Sequence, residues 1–525
     1  MKRHFPVFLL SSGLILLLYL LFNPAYHTND DNQWIWMLEG IGANSKAPPT
    51  PYTVYQNFLI GYIYQLIPDF FDIFGYNWLH ILTQIFFLST SILLLNRSTN
   101  INPLITFGFS LTLTSVNFFL PQYSITPILL LSSAIVILKD SKSSFNRLSF
   151  LSIGLIIWAS MIRIEPFIFS VIVLIPYIFL YLKNNFQKKI LLIGISLSII
   201  LSGLNYHFTK NSLSSGFFYE DLEKKIILDY KGRDYFYKNP NDLKASGLTL
   251  NDAKFFGHWL LFDKEINNKI LSKENILKIN YKFGERFKWG VNSIIFLFKN
   301  KNLKYLTGLL ILSLILSKNV AALLSFLIFS FAIFYSGYLG RDPLIRIYLG
   351  PLIVLTLFNL SCIKLKKHTV IYLIISFSLL IIFNLKPLAH KTLWKEDTAR
   401  IRLSWVLNKV KKIETDIIWW PFSTNFADDF YRIKNLPNIR KLQFIRPNYN
   451  WGDASDPRGE KRQKKFKKDF TTIGISLIVD DINYFKRFLP IFENYCLEHF
   501  HGKLQEKYLT NKDKTISIAT INCKI

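Results

Sequence analysis

The chain has 525 residues, of which 50% are hydrophobic and 16% aromatic, and its mean hydropathy is +0.25. These values exclude an ordinary soluble protein, and the apolar residues occur in long runs, so the sequence predicts a polytopic α-helical membrane protein. The formal net charge of +27 would indicate a nucleic-acid partner in a soluble chain. Basic loops that orient membrane spans and bind anionic lipid account for it here, so we expect membrane lipids as partners and no nucleic acid.

The first apolar run follows a short basic N-terminus. Lys2, Arg3 and His4 precede the run from Phe5 to Phe22, which has the charge and length of a signal peptide. No small-x-small cleavage site follows, so we interpret the run as an uncleaved first helix with its basic end in the cytoplasm. Further runs long enough, or nearly so, to cross ~30 Å of hydrocarbon lie at about 77–95, 102–119, 123–138, 147–163, 167–182, 189–206, 303–317, 320–338, 344–361 and 369–386. The sequence thus predicts about eleven transmembrane helices.

A shorter apolar segment decides the predicted topology. Residues 57–68 form a run of only about a dozen residues that includes Tyr62, Tyr64 and Gln65, which indicates an interfacial helix and not a span. With this choice, three basic clusters fall on the same side as the N-terminus, as the positive-inside rule requires. They are Lys139/Lys142/Arg147, Lys183/Lys188/Lys189 and Lys364/Lys366/Lys367. The predicted orientation is N-in/C-out.

This topology places three blocks outside the cytoplasm. Residues 1–386 form the predicted transmembrane domain, which includes a first outer loop at 23–76 and a second at 207–302. Within the second loop, the amphipathic stretch from Trp289 to Phe298 predicts a helix along the membrane surface. The tail, 387–525, predicts a small extracytoplasmic α/β domain. Its expected elements are helices at 398–412 and 483–500 and strands at 416–420, 442–445 and 473–479.

The three cysteines, Cys362, Cys496 and Cys523, include no CxxC pair and no Cys/His cluster at ligand spacing. We therefore predict no structural zinc site and assign no metal ligands from the spacing. Cys496 and Cys523 both lie in the predicted extracytoplasmic tail, where a disulfide is chemically permitted. Their pairing depends on a distance that sequence does not give.

An acidic pair, Asp30 and Asp31, follows the first apolar run almost at once. One interpretation is structural: Asn29 caps a helix through Trp34, and the helix dipole favours two carboxylates in its first turn. The other is catalytic, because a loop tethered to a span holds two carboxylates at the membrane face, where one can serve as a base. We favour the catalytic interpretation.

Two arginines lie at the predicted extracytoplasmic ends of spans, against the usual charge bias. Arg163 is followed by Glu165, and Arg341 by Asp342, with Arg346 one turn later. A guanidinium group suits phosphate oxygens, so a lipid-linked phosphate is one partner. The alternative is a local ion pair, Arg163 with Glu165 or Arg341 with Asp342, that anchors a helix end.

The layout resembles the GT-C glycosyltransferases, which include protein O-mannosyltransferases and bacterial aminoarabinose transferases. The resemblance rests on a short cytoplasmic N-terminus, a large first outer loop with an acidic pair, about eleven spans and an outer C-terminal domain. The local match is Asn29-Asp30-Asp31, where related enzymes carry Asp-Glu or Asp-Asp. The resemblance implies a multi-pass protein of the bacterial cytoplasmic membrane whose active site faces outward. It further implies a polyprenyl-phosphate-linked sugar donor, inverting transfer, and an acid of the first loop as base or metal ligand.

These implications assign roles to particular residues. Asp30 is the expected base and Asp31 its neighbour in the catalytic pair. The expected donor-phosphate residues are Arg163, Arg341 and Arg346, with His207 and Lys210 as further candidates just after the seventh span. Trp34, Tyr52 and Glu165 are the expected substrate-binding residues, although membrane anchoring is the alternative role for the aromatic ones.

Two other functions compete with this one. A polysaccharide polymerase or ligase of the O-antigen type would use the outer arginines on lipid-linked glycans and leave the acidic pair structural. A lipid-linked glycan transporter is a non-enzymatic alternative, which the scarcity of charges at the centres of the spans disfavours. The sequence identifies neither the sugar, the acceptor nor a protein partner, and it shows no evident cofactor.

Overall fold

Apolar helices make up most of the chain before residue 386, and a small mixed sheet follows. The computed structural model describes residues 4–24, 34–35, 38–39, 51, 56–70, 73–99, 102–141, 145–212, 230–258, 263–363, 367–385, 396–410, 413, 417–419, 445–446, 459–479 and 481–525. The helices up to the second outer loop are α1 (His4–Phe22), α2 (Phe58–Leu66), α3 (Asn77–Ser98), α4 (Pro103–Phe119), α5 (Thr126–Lys139), α6 (Arg147–Ile162), α7 (Ile164–Tyr181) and α8 (Asn185–Ser212).

Short helices and a second group of apolar helices follow. In the segment predicted to be the second outer loop lie α9 (Gly232–Lys238), α10 (Asn241–Lys244), α11 (Leu250–Gly257), α12 (Lys264–Ile270), α13 (Lys273–Lys278) and α14 (Phe283–Lys299). The later apolar helices are α15 (Lys304–Ser317), α16 (Val320–Tyr338), α17 (Ile345–Cys362) and α18 (Lys367–Leu380), which ends in a π-helical turn, Ile381–Leu385.

All eleven runs predicted to span the membrane are helical. Within the described residues, six helices are long and apolar enough to cross a membrane: α1, α3, α7, α8, α16 and α17. The other five runs correspond to the shorter apolar helices α4, α5, α6, α15 and α18. The protein is thus helical and multi-pass, while the count of eleven spans and the N-in/C-out orientation stay predictions.

The helix α2 corresponds to the segment predicted to be interfacial, and Asn57 fixes its position. The Asn57 side chain caps the helix by accepting a hydrogen bond from the Leu59 amide. Its backbone N–H donates to the Met161 carbonyl at 2.8 Å, and its side-chain amide donates to the Leu201 carbonyl at 3.0 Å. One polar residue therefore joins the predicted first outer loop to the end of α6 and to the middle of α8.

The amphipathic helix predicted around Trp289 is α14, and it packs against α16 through glycines. A β-carbon on Gly337 would lie 2.2 Å from the Ser293 Oγ and 2.7 Å from the Trp289 carbonyl oxygen. A β-carbon on Gly290 would lie 2.6 Å from the Phe334 ring. The close approach of the two helices thus depends on the absence of side chains at these two positions.

The tail contains a five-stranded sheet of order β2-β1-β3-β5-β4, with parallel pairing among β1, β2 and β3 and antiparallel pairing of β5 with β3 and β4. Its elements are α19 (Glu396–Val410), β1 (Ile417–Trp419), β2 (Ile445–Arg446), α20 (Gly459–Thr472), β3 (Ile475–Val479), α21 (Ile482–Lys486), α22 (Leu489–Phe500), β4 (Lys503–Thr510) and β5 (Ser517–Lys524). The α/β character predicted for the tail is therefore present. The helix expected at 483–500 is interrupted after Lys486, and the hairpin of β4 and β5 was not predicted.

Cys496 and Cys523 form a disulfide that joins α22 to β5, with their Cα atoms 5.5 Å apart. Both cysteines are completely buried in the tail. A pairing that the sequence only permits chemically is thus present in the structure.

The second outer loop and the tail share one hydrophobic core. Phe236, Phe255 and Ile266 from the loop are buried in the same cluster as Phe466 and Phe492 from the tail. The Phe255 ring lies 5.5 Å from the Phe492 ring, centroid to centroid. The loop and the tail therefore pack as one module, which we call the outer module after its predicted location (described residues 232–258, 263–278, 459–479 and 481–525).

Polar contacts accompany this core. The Tyr495 hydroxyl donates to the buried Asp263 carboxylate at 2.8 Å, and Lys467 lies 3.2 Å from the same carboxylate. Hydrogen bonds from Lys269 and Lys467 lower the pKa of Glu265 to about 2. Loop and tail are therefore joined by ion pairs as well as by apolar packing.

We expect a histidine to make the stability of the outer module depend on pH. The Nε2 of His499 on α22 lies 2.8 Å from the Oδ1 of Asp252 on α11, and Asp252 is completely buried. The hydrogen bond to Asp252 raises the pKa of His499, and the charges of Asp252, Asp263 and Glu498 add to this effect against the opposing effect of burial.

Because the folded pKa exceeds the ordinary value near 6.5, this stabilisation is fully present below that pH and is lost as the pH rises through the folded pKa. In the wild type, we expect the temperature at which the outer module unfolds to decrease as the pH is raised from 6 to 9. The decline should be smaller in His499→Gln, measured by thermal unfolding at a series of pH values. Equal declines in both proteins would contradict the assignment.

Candidate functional site

A cavity of about 230 Å³ lies where α7, α16 and α17 meet the loop before α5. Its charged lining residues are Arg163, Glu165, Arg341 and Arg346, and serines 124, 170 and 336 add hydroxyl groups. The rest of the lining is apolar, mainly from isoleucine, proline and phenylalanine side chains of α5, α7, α16 and α17. Three of the five predicted phosphate-binding residues and one predicted substrate-binding residue thus line a single cavity, with a formal charge of +2 from its three arginines and one glutamate.

A proline places Arg163 at the cavity. Pro166 lacks an N–H, and its ring would clash with the carbonyl of Ile162 four residues earlier, which ends α6 at that residue. Arg163 then takes an extended conformation (φ −166°, ψ 117°) between α6 and α7. The sequence Arg163-Ile164-Glu165-Pro166 therefore dictates a break between two apolar helices and leaves the arginine at it.

Arg163 is held on several sides. Its Nη1 donates to the Ser124 Oγ at 2.9 Å and to the Tyr123 hydroxyl, and its Nε lies 3.3 Å from Glu165 Oε2. Only 7% of the residue is exposed. The ion pair expected as the structural alternative is thus present, but Arg163 still lines the cavity and supplies it with a buried, fixed positive charge.

A tight turn carries the second arginine into the cavity. Gly340 has a φ of +94°, which favours glycine, and a β-carbon there would lie 2.8 Å from the Tyr230 carbonyl oxygen. The next residue, Arg341, donates its backbone N–H to the Ser336 carbonyl at 3.2 Å and places its guanidinium 5.7 Å from the centre of the Tyr230 ring. The Nε of Arg341 is buried, and no described residue accepts a hydrogen bond from it.

Asp342 does not pair with Arg341 among the described contacts. Its Oδ1 lies 2.5 Å from the Nζ of Lys231, and its Oδ2 lies 3.6 Å from Nη2 of Arg233. The local ion pair expected as the alternative at this position is therefore replaced by contacts to the second outer loop. Arg346 lies in the first turn of α17 and also lines the cavity.

Trp34 contacts Tyr123, a hydrogen-bond partner of the cavity residue Arg163. It is only 4% exposed, and its ring lies 3.9 Å from the Tyr123 ring, centroid to centroid, in an edge-to-face arrangement. Tyr123 in turn accepts the hydrogen bond from Arg163. Trp34 is not among the described residues that line the cavity. By packing against Tyr123, it helps to fix the hydroxyl group that binds Arg163.

The other predicted residues are placed differently. His207 lies near the end of α8 on the exposed surface, beside Phe208, whose ring contacts Phe58 of α2. It is not among the described lining residues, and the side chain of Lys210 is outside the described part of the chain. Asp30, Asp31 and Tyr52 also lie outside the described residues.

Sequence reasoning missed the hydroxyl groups that hold Arg163. The apolar pattern predicts Tyr123 and Ser124 as the start of a span, whereas α5 begins at Thr126. The signal was available, because Pro121 and Pro127 bracket a polar stretch between two apolar runs, which is typical of a tight connection. Tyr230 was also missed, since nothing in the sequence indicates that it meets Arg341.

One group of possible metal ligands occurs in the outer module. Ligand atoms of Asp252, Glu498 and His499 lie within 4.8 Å of one another. One Asp252 oxygen contacts His499, and the other accepts the Thr249 N–H in a capping box, while Glu498 accepts from the Thr249 hydroxyl at 2.9 Å. Hydrogen bonding within the protein explains this cluster, and we assign it no metal.

The chemistry of the cavity is that of an anion site. Guanidinium groups donate in planar pairs that match phosphate oxygens, and hydroxyl groups add neutral donors. The low polarity of the surrounding helices strengthens these interactions relative to water. The apolar part of the lining offers room for hydrocarbon or for the faces of a sugar ring.

No protein-family model matches the chain, and no curated protein matches it. Two solved structures are similar: crystal structures of ArnT from Cupriavidus metallidurans, one bound to undecaprenyl phosphate and one in the apo state. Each has 9% sequence identity and a TM-score of 0.39, over 98% of this chain and 97% of the other. At this level of similarity, the function has to be argued from the residues of this chain.

Proposed function

We propose that the protein is a membrane glycosyltransferase that moves a sugar from a polyprenyl-phosphate donor to an acceptor outside the cytoplasm. The observation that carries this proposal is the convergence of Arg163, Arg341 and Arg346 on one cavity at the ends of apolar helices. A site of this kind suits a ligand that has both a phosphate and a hydrocarbon chain. A soluble phosphate would not need the apolar surroundings.

The charge of the cavity favours the product over the donor. A sugar linked to polyprenyl phosphate is a phosphodiester with a single negative charge, whereas the released phosphate monoester carries about −1.5 to −2 at neutral pH. Three arginines against one glutamate therefore interact more strongly with the leaving group as its charge develops. Interactions that strengthen along the reaction accelerate it.

The acidic pair completes the proposed mechanism. Asp30 accepts the proton of an acceptor hydroxyl while that oxygen attacks the anomeric carbon, and Asp31 supports it. The bond from the anomeric carbon to the phosphate oxygen breaks, and attack from the opposite face inverts the configuration. The arginines hold the departing phosphate.

The position of Trp34 supports a role for the acidic pair near the cavity. Asp31 is three residues from Trp34, so the covalent chain limits their Cα atoms to a separation of ~11 Å. The Trp34 ring in turn lies 3.9 Å from Tyr123, which binds Arg163. The acidic pair is thus within four residues of Trp34 in the sequence, which supports the proposal that it acts near the cavity.

A binding experiment tests the proposal. We expect the purified protein in lipid nanodiscs to bind farnesyl phosphate at least about tenfold more tightly than farnesol, because charge-assisted hydrogen bonds act on the phosphate alone. Isothermal calorimetry measures both affinities. Equal affinities for the phosphate and the alcohol would contradict a phosphate site.

A further inference from the structure

A cluster of four charges includes Asp342, the neighbour of the cavity residue Arg341. Lys231 contacts Asp342 at 2.5 Å and Asp234 at 3.5 Å, and Arg233 contacts the same two carboxylates at 3.6 Å each. Two cations and two carboxylates thus balance each other. Three of the four residues come from the second outer loop, and Asp342 is the immediate neighbour of Arg341.

The same loop segment contacts the other side of Arg341. The Tyr230 ring lies under the guanidinium group, and the Tyr230 carbonyl occupies the space where a side chain at Gly340 would be. The Tyr281 hydroxyl donates to the Lys231 carbonyl at 2.5 Å, which fixes the backbone of the segment. The segment 230–233 therefore contacts Arg341 itself and both of its neighbours in the chain, Gly340 and Asp342.

The cluster has a consequence for the charge available in the cavity. Asp342 is the carboxylate closest to Arg341 along the chain, and outside a helix adjacent side chains can reach each other. Paired with Arg341, Asp342 would cancel one of the cavity's positive charges. In the structure Lys231 and Arg233 occupy both oxygens of Asp342, and the Arg341 Nε has no acceptor among the described residues.

We propose that Lys231 and Arg233 are positioning residues for Arg341, which hold the Asp342 carboxylate away so that the guanidinium is available to an anion in the cavity. This inference rests on the proposed function only in taking the anion to be a lipid-linked phosphate. Within the described part of the chain, the second outer loop contributes no residue to the lining of the cavity. It nevertheless controls the affinity of the cavity for its anion through Asp342.

The decisive test is a rescue experiment. In nanodiscs, the double variant Lys231→Gln/Arg233→Gln should bind farnesyl phosphate about tenfold more weakly than the wild type, because the released Asp342 competes for Arg341. Adding Asp342→Asn should restore the affinity to within about twofold, since no carboxylate then competes. If the two cations only maintain the fold of the loop, the triple variant will stay as weak as the double variant, and the proposal is wrong.

A matched control comes from the same helix. Lys238 lies at the other end of α9, 63% exposed, and contacts Glu285 at 3.5 Å. Lys238→Gln removes one cation from this short helix without touching Asp342, and it should bind like the wild type. A loss equal to that of the double variant would show a general charge effect and would overturn the proposal.

A second measurement needs no ligand. Phenylglyoxal modifies accessible guanidinium groups, and peptide mass spectrometry quantifies the modification of Arg341. We expect several-fold slower modification in the double variant and the wild-type rate in the triple variant. Unchanged modification in the double variant would overturn the positioning role. Failure of the wild type to bind farnesyl phosphate would instead overturn the proposed function, while the labelling rates still decide the role of the two cations.

Discussion

Replacing Asp30 by asparagine is expected to reduce glycosyl transfer by about 10²- to 10⁴-fold, which is the usual contribution of a general base. The amide cannot accept the proton of the acceptor hydroxyl, although its size is nearly the same. The assay measures the release of free polyprenyl phosphate from lipid-linked sugars. Mass spectrometry quantifies this release in membranes in which the variant is the only copy of the protein. Asp31→Asn should retain more activity, because Asp31 only supports the base.

Asp69→Asn is the matched control, because Asp69 belongs to the same predicted outer loop but follows α2. It should retain full activity. If Asp30→Asn and Asp31→Asn are both fully active, the acidic pair is structural and the proposed mechanism is wrong. In that case each substitution should cost only ~0.3–1 kcal/mol of stability, as expected for carboxylates in the first turn of a helix.

The described residues Trp34, Ile35, Leu38 and Glu39 are helical, which favours this structural alternative. It would favour a polymerase or ligase that uses the same arginine cavity.

Arg341→Gln should weaken the binding of farnesyl phosphate by about 10- to 100-fold and reduce transfer at least as much. The guanidinium group has its buried Nε free of acceptors among the described residues, so its hydrogen-bonding capacity is available to the ligand. Charge-assisted hydrogen bonds to a partly desolvated anion contribute about 1.5–3 kcal/mol each, which corresponds to this range. The affinity is measured by calorimetry in nanodiscs.

Arg487→Gln provides the control for Arg341→Gln. Arg487 lies over the Tyr484 ring at 5.8 Å, close to the 5.7 Å between Arg341 and Tyr230, but it belongs to the outer module and does not line the cavity. Loss of an arginine-aromatic contact alone should therefore leave the affinity unchanged. An Arg341→Gln variant that binds like Arg487→Gln would remove Arg341 from the proposed site.

Hydrophobicity predicted the helices well, because a span must satisfy every backbone hydrogen bond internally and must therefore be a continuous apolar helix. The eleven predicted runs coincide with helices for this reason. The tail was less predictable. Its first three strands follow short apolar runs, but β4 has the pattern of an exposed edge strand with Lys503, Glu506 and Lys507, and its place in the sheet comes only from pairing with β5. Such pairing is a long-range property that no local pattern records.

The site was predictable in its charges and not in its geometry. Arg163 and Arg341 stand out because charge at the end of an apolar run is costly without a partner. Their convergence depends on the packing of α7, α16 and α17, which the sequence does not specify. For the same reason, no pattern could show whether Asp342 would pair with its neighbour Arg341 or with Lys231.

The shared core of the outer module has a consequence for biosynthesis. Asp252 and His499, which join its two halves, are 247 residues apart in the chain. At ~5–20 residues per second, the loop half is complete roughly 10 to 50 s before its partner has been synthesised. During that interval the apolar side chains of Phe236 and Phe255 lack the tail residues that cover them in the folded protein. Chains truncated before the tail would thus expose these apolar side chains to quality-control proteases and chaperones. Final assembly of the outer module therefore has to wait until the tail has been synthesised.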